Sequence, residues 1–112
     1  MRARISTRRH ETWHIIEVTG ELDLAAAPEL RQATRDATYI GPSPRVLVDL
    51  SRCELLDSVS LGILLGASRR INDRSGCLRL VVDGGLVHRT FELTGTADLF
   101  TLVRTVEEAF DI

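Results

Sequence analysis

Two short apolar runs rich in β-branched residues, Val46-Leu47-Val48-Asp49-Leu50 and Leu78-Arg79-Leu80-Val81-Val82, constrain the fold of this chain more than any other feature. Runs of this length suit strands buried on both faces, as in a sheet covered by helices. Between them, Leu61, Leu64, Leu65, Ser68 and Ile71 recur at spacings of three and four, which predicts a helix over Ser58–Arg74 with that face toward the sheet. Gly76 follows, where a left-handed helix cap is expected. Strand, helix and strand at this spacing make a crossover unit, and a crossover of this kind joins parallel strands.

The flanking segments extend the same architecture. Ile5 to Val18 reads as a hairpin with its turn at His10-Glu11, and Gly20 is expected to end the second strand. Asp23 is placed to cap a helix through Pro28, Leu30, Ala33 and Ala37, where Pro28 is tolerated only because it lies near the first turn. Gly41-Pro42-Ser43-Pro44 is a loop, and Asp83-Gly84-Gly85 a turn. Leu86 to Leu93 suits a short helix ended by Gly95, Leu99 to Val103 an edge strand, and Thr105-Val106-Glu107-Glu108 the capping box of a last helix. The expected order is ββαβαβαβα, an α/β fold in which a mixed central β-sheet carries about four α-helices. At 112 residues, a single domain spanning 1–112 is expected.

Composition narrows the function classes. The chain is 44% hydrophobic and 27% charged, ordinary for a globular protein, so it needs no disulfide or metal to fold. Its net charge is -2 and no run of like charge exceeds two residues, which gives no footprint for nucleic acid. Arg2, Arg4, Arg8 and Arg9 read as a solvated strand edge. No membrane-spanning run and no secretory leader stand out, so a cytoplasmic location is expected. Cys53 and Cys77 fall at opposite ends of the predicted sheet and are expected to be small packed residues. His10, His14 and His88 lack metal-ligand spacing and nothing pairs a serine with a histidine base, so no catalytic residue, metal or cofactor is assigned.

Three segments carry a family resemblance: Gly20-Glu21-Leu22-Asp23-Leu24-Ala25-Ala26-Ala27-Pro28-Glu29-Leu30, then Val46–Leu50 followed by Leu56-Asp57-Ser58-Val59-Ser60-Leu61-Gly62, then Phe91-Glu92-Leu93-Thr94-Gly95 with Leu99-Phe100. In their order and spacing they resemble the STAS family, the domain of anti-sigma-factor antagonists and of sulfate-transporter tails. The resemblance implies a bacterial regulatory module in transcription and partner-switching signalling. Such a module binds an anti-sigma factor that is also a serine kinase and so frees a sigma factor. Phosphorylation by the kinase ends the binding, and a serine phosphatase restores it. The family's usual pattern after the aspartate is two hydroxyl residues and a glycine, with phosphate on the second hydroxyl. Here Val59 stands in the acceptor position and Ser60 replaces the glycine. Ser58 is therefore the first phosphorylation candidate, as in relatives of the scaffold type, and Ser60 the second.

A phosphoserine at a helix N-terminus is favoured by the unpaired N–H groups and the dipole there, so modification of Ser58 is expected to leave the fold intact and alter only the surface. The resemblance places Asp23 beside the Asp57 turn. The helix ridge opposite the core face carries Val59, Gly62, Ile63, Gly66 and Arg70, and each interior glycine costs a helix about 1 kcal/mol relative to alanine. Close approach of a partner with Val59 and Ile63 as anchors explains the ridge, and so does packing on this chain's own first helix. Asp23, Asp57, Ser58, Val59, Gly62, Ile63, Gly66 and Arg70 form the expected partner-binding surface of a monomer or weak homodimer. The alternatives are a scaffold subunit of a signalling assembly and a domain that senses a nucleotide or lipid.

Overall fold

The computed structural model describes residues 2–110. Strands β1 (Arg4–His10) and β2 (Trp13–Leu22) form an antiparallel hairpin. There follow α1 (Ala27–Thr38), β3 (Arg45–Leu56), α2 (Ser58–Asp73), β4 (Cys77–Val81), α3 (Gly85–Thr94), a 3-10 turn at Ala97–Leu99, β5 (Thr101–Val103) and α4 (Val106–Phe110). The sheet runs in chain order, β1-β2-β3-β4-β5, with every pair after the hairpin parallel. This is the expected mixed sheet with four helices.

Alternation along β3 separates two apolar layers. Val46, Val48 and Leu50 point to one face, where they meet Leu30 of α1, Leu64 and Ile71 of α2, and Val87 and Phe91 of α3. Leu47 points to the other face, into a smaller cluster with Trp13, Ile15, Val81, Val103 and Ala109 of α4. The Trp13 ring lies under the guanidinium groups of Arg45 at 4.4 Å and Arg79 at 4.8 Å, with the Phe110 ring 6.0 Å away. Arg79 also donates to the Ala109 carbonyl, so one arginine ties α4 to the sheet. Leu22, Leu30, Leu64 and Ile71 have no exposed surface, and burial of each contributes about 2 kcal/mol.

Several local expectations are corrected. Gly20 does not end β2. It sits at a φ of 89° beside a register shift, which carries the strand on to Leu22. β3 likewise runs past Leu50, because beyond a register shift pairing with β2 resumes at Arg52 and continues as far as Leu22 opposite Leu56. Asp23 does not cap α1. Its carboxylate accepts from the Ala25 N–H at 3.0 Å in a turn before the helix, while the N-cap, Ala26, makes no side-chain bond.

Gly76 is not the left-handed cap of α2. Ser75 takes that conformation at a φ of 58°, and the helix closes with Ser75 N–H on the Asn72 carbonyl (3.0 Å) and Gly76 N–H on the Ile71 carbonyl (2.9 Å). Gly76 is required for another reason: a Cβ there would stand 2.2 Å from the Pro44 carbonyl oxygen. By contrast, Gly95 does end α3 at a φ of 68°. Thr105 accepts from the Glu108 N–H at 3.1 Å, but the Glu108 carboxylate returns to the Arg104 N–H rather than to that of Thr105, so the box is one residue wider than expected. The expected strand at Leu99 begins only at Thr101.

Candidate functional site

Because β2 and β3 end in register, the turns that follow them leave the sheet side by side. Leu22 joins them: its carbonyl accepts from the Asp57 N–H at 3.1 Å and from the Ser60 hydroxyl at 3.4 Å. The Asp57 carboxylate accepts from the Ser60 N–H at 2.8 Å and is the N-cap of α2. Asp23 and Asp57 thus hold adjacent turns, as the resemblance implied, each spending a carboxylate oxygen on local backbone.

This arrangement separates the two serines. Ser60 is fully buried, so its hydroxyl is a structural donor, which argues against the second phosphorylation candidate. Ser58, the first residue of α2, is exposed and its hydroxyl has no partner among the described residues. The strand ends and turns here also carry apolar side chains open to solvent: Val59 is 39% exposed, Leu55 40% and Leu24 68%. Leu24 and Leu55 were not expected in the site, since the sequence does not show that the ends of β2 and β3 lie side by side.

The ridge of α2 also divides. Ile63 is only 8% exposed and belongs to the core layer, so it packs within this chain and is no exposed anchor. Ala67 is buried on the core side, whereas Leu65 and Ser68, expected there from their spacing, are only half-buried. Gly62 is exposed, and a Cβ built on it meets nothing within 4 Å. A Cβ at Gly66 meets only the tip of Arg70, at 3.3 Å. Packing on α1 therefore requires neither glycine. Between α1 and α2 they leave a groove of about 230 Å³, floored by Gly62, Gly66 and Ile63 and running up to Val59. Arg70 of α2 and Arg31 and Arg35 of α1 line its sides. The two α1 arginines are an addition; their spacing of four residues was visible, but not that α1 lies against this part of α2.

Cys53 lies below the site, its thiol 3.2 Å from the Leu55 carbonyl, and burial pushes its pKa up despite backbone hydrogen bonds that favour the thiolate. It is a free, buried thiol.

With this sheet order, and with two turns leaving the sheet beside the α2 N-terminus, the chain belongs to the STAS domain family, matched over residues 4–109. Among its relatives, an anti-sigma-B factor antagonist of Staphylococcus epidermidis is 29% identical over 99 residues, covering 88% of this chain and 91% of the relative. An anti-sigma-B factor antagonist of Listeria monocytogenes is 29% identical over 103 residues, covering 91% and 90%. The crystal structure of an anti-sigma factor antagonist from Mycobacterium paratuberculosis superposes with a TM-score of 0.88 at 30% identity, over 98% of this chain and 92% of the other.

Proposed function

We propose that this chain is an anti-sigma-factor antagonist that docks on an anti-sigma serine kinase through the N-terminal half of α2 and the turns at Asp23 and Asp57, and so releases a sigma factor. The observation that carries the reading is the exposed Ser58 hydroxyl at the start of α2, without a partner among the described residues, on a face where Val59, Leu55 and Leu24 of the same strand ends and turns are also exposed. Exposed apolar side chains around a helix N-terminus favour a protein partner, and the names of the relatives supply its class.

The switch follows from local electrostatics. The kinase transfers the γ-phosphoryl group of ATP to the Ser58 oxygen; the hydroxyl proton is lost and ADP leaves. The product adds about -1.5 to -2 charges to a chain whose net charge is -2. At the first residue of α2 this charge meets the positive end of the helix dipole, so the fold tolerates it. Docking does not, because the dianion would have to be desolvated against the partner among apolar neighbours. A serine phosphatase restores the hydroxyl by hydrolysis. Val59 has no oxygen to accept phosphate and serves as an apolar contact.

Binding isotherms of the wild type, Ser58→Ala and Ser58→Glu with the anti-sigma kinase that co-purifies with the chain test this reading. Ser58→Ala is expected to bind like the wild type and Ser58→Glu at least tenfold more weakly, about 1.4 kcal/mol. Equal binding by both variants removes the switch and leaves the antagonist; a wild type that binds none of the source organism's anti-sigma kinases removes the antagonist.

A further inference from the structure

The groove between α1 and α2 has an electrostatic character that the apolar docking point does not explain. Arg31 and Arg35 from one helix and Arg70 from the other line a depression whose floor is glycine backbone and Ile63. Among the described residues none of the three forms an ion pair. The carboxylate nearest in sequence to Arg35, that of Asp36, accepts instead from the Gln32 side-chain amide at 2.7 Å. The Nε atom of Arg70 is buried and has no hydrogen-bond partner. A buried guanidinium donor without an acceptor costs stability, and three unneutralised guanidinium groups around one depression also repel one another. The groove runs directly into Val59, so whatever seats on Val59 lies over the arginines.

We infer that the groove receives an acidic segment of the partner kinase, presenting carboxylate side chains to Arg31, Arg35 and Arg70. This rests on the docking reading above and adds the chemistry of the partner's face. Guanidinium groups bind carboxylates in paired, planar hydrogen bonds. The glycines let the partner's backbone come close enough for short acidic side chains to reach them. A charged groove beside an apolar point divides the work: the arginines steer and orient the encounter, and the apolar point holds the complex. It also strengthens the switch, since phosphate on Ser58 would repel the same acidic segment.

Two measurements on the intact chain test the inference. The first is an NMR titration of amide shifts with a helical peptide carrying glutamates four residues apart, its glutamine counterpart, and inorganic phosphate. The glutamate peptide is expected to shift amides within 31–35 and 59–70 at low salt, the glutamine peptide to shift none, and the double variant Arg31→Glu/Arg35→Glu to abolish the response. No response to the glutamate peptide, or an equal one to phosphate alone, overturns the proposal. The second is the affinity for the co-purifying kinase. The double variant is expected to bind at least tenfold more weakly with thermal stability no lower than that of the wild type, and wild-type affinity to fall steeply with salt. If wild type and variant bind the kinase equally, the groove proposal fails and the antagonist reading stands. If the peptide binds in the groove while no anti-sigma kinase binds the chain, the antagonist reading fails and the acidic-ligand groove stands.

Discussion

Gly62→Ala is expected to make the protein more stable and a poorer binder. Gly62 is the fifth residue of α2, and a Cβ there would meet no atom within 4 Å. Replacing an interior helical glycine with alanine removes backbone freedom from the unfolded chain and adds about 0.8–1 kcal/mol. For a chain of 112 residues that raises Tm by about 4 °C. Calorimetry reads this directly. The same methyl group stands on the floor of the groove, where a closely packed partner has no room for it. An overpacked methyl costs about 1–3 kcal/mol, so affinity for the kinase should fall about fivefold or more. A drop in Tm would show that the glycine serves the fold. A raised Tm with unchanged affinity would show that no partner approaches the α2 ridge.

The remaining predictions concern the fold. Gly76→Ala should lower Tm by 10 °C or more in a thermal melt, because a Cβ 2.2 Å from the Pro44 carbonyl oxygen must displace backbone that also accepts the Cys77 N–H at 2.9 Å. Ser75→Gly should raise stability by up to about 1 kcal/mol in a denaturant titration, since Ser75 holds a φ of 58° that glycine adopts without strain. His14 has its pKa lowered below 6.5, first by burial and then by Arg9, and its Nδ1 is buried without a partner. The unfolded chain therefore takes up the proton more readily, so this contribution to stability is full above pH 6.5 and is lost as pH falls through 6.5 toward the folded value. His14→Gln should flatten the stability profile in that window, and an unchanged slope would show that His14 does not set it.

Much of this architecture is legible in the sequence where one local pattern has one physical meaning. The β-branched runs at Val46 and Leu78 gave the parallel core, and the hydrophobic spacing gave α2 nearly to the residue. Gly76 is a case where one local pattern has two physical meanings. A glycine after a helix serves equally as a left-handed cap or as a place where backbones touch, and the deciding neighbour, Pro44, is far away in sequence. The extension of β3 to Leu56 was hidden because its polar residues pair with β2 and carry no apolar pattern of their own. Ser60 is different: at spacings of four and three, Ser60, Leu64, Ala67 and Ile71 fall on one stripe, so its burial was present in the sequence and outweighed by its hydroxyl. The arginine groove needed the order of the sheet, which sets α1 against α2.

The proposed antagonist displaces a sigma factor from its anti-sigma kinase. Titrating the unphosphorylated protein into a preformed complex of kinase and sigma factor, with release of sigma followed by fluorescence anisotropy, tests it most directly. Saturable release is expected from the wild type and from Ser58→Ala, with at least tenfold more protein needed for Ser58→Glu or Arg31→Glu/Arg35→Glu. A sigma factor that stays bound at saturating wild-type protein, across the anti-sigma kinases of the source organism, would contradict it.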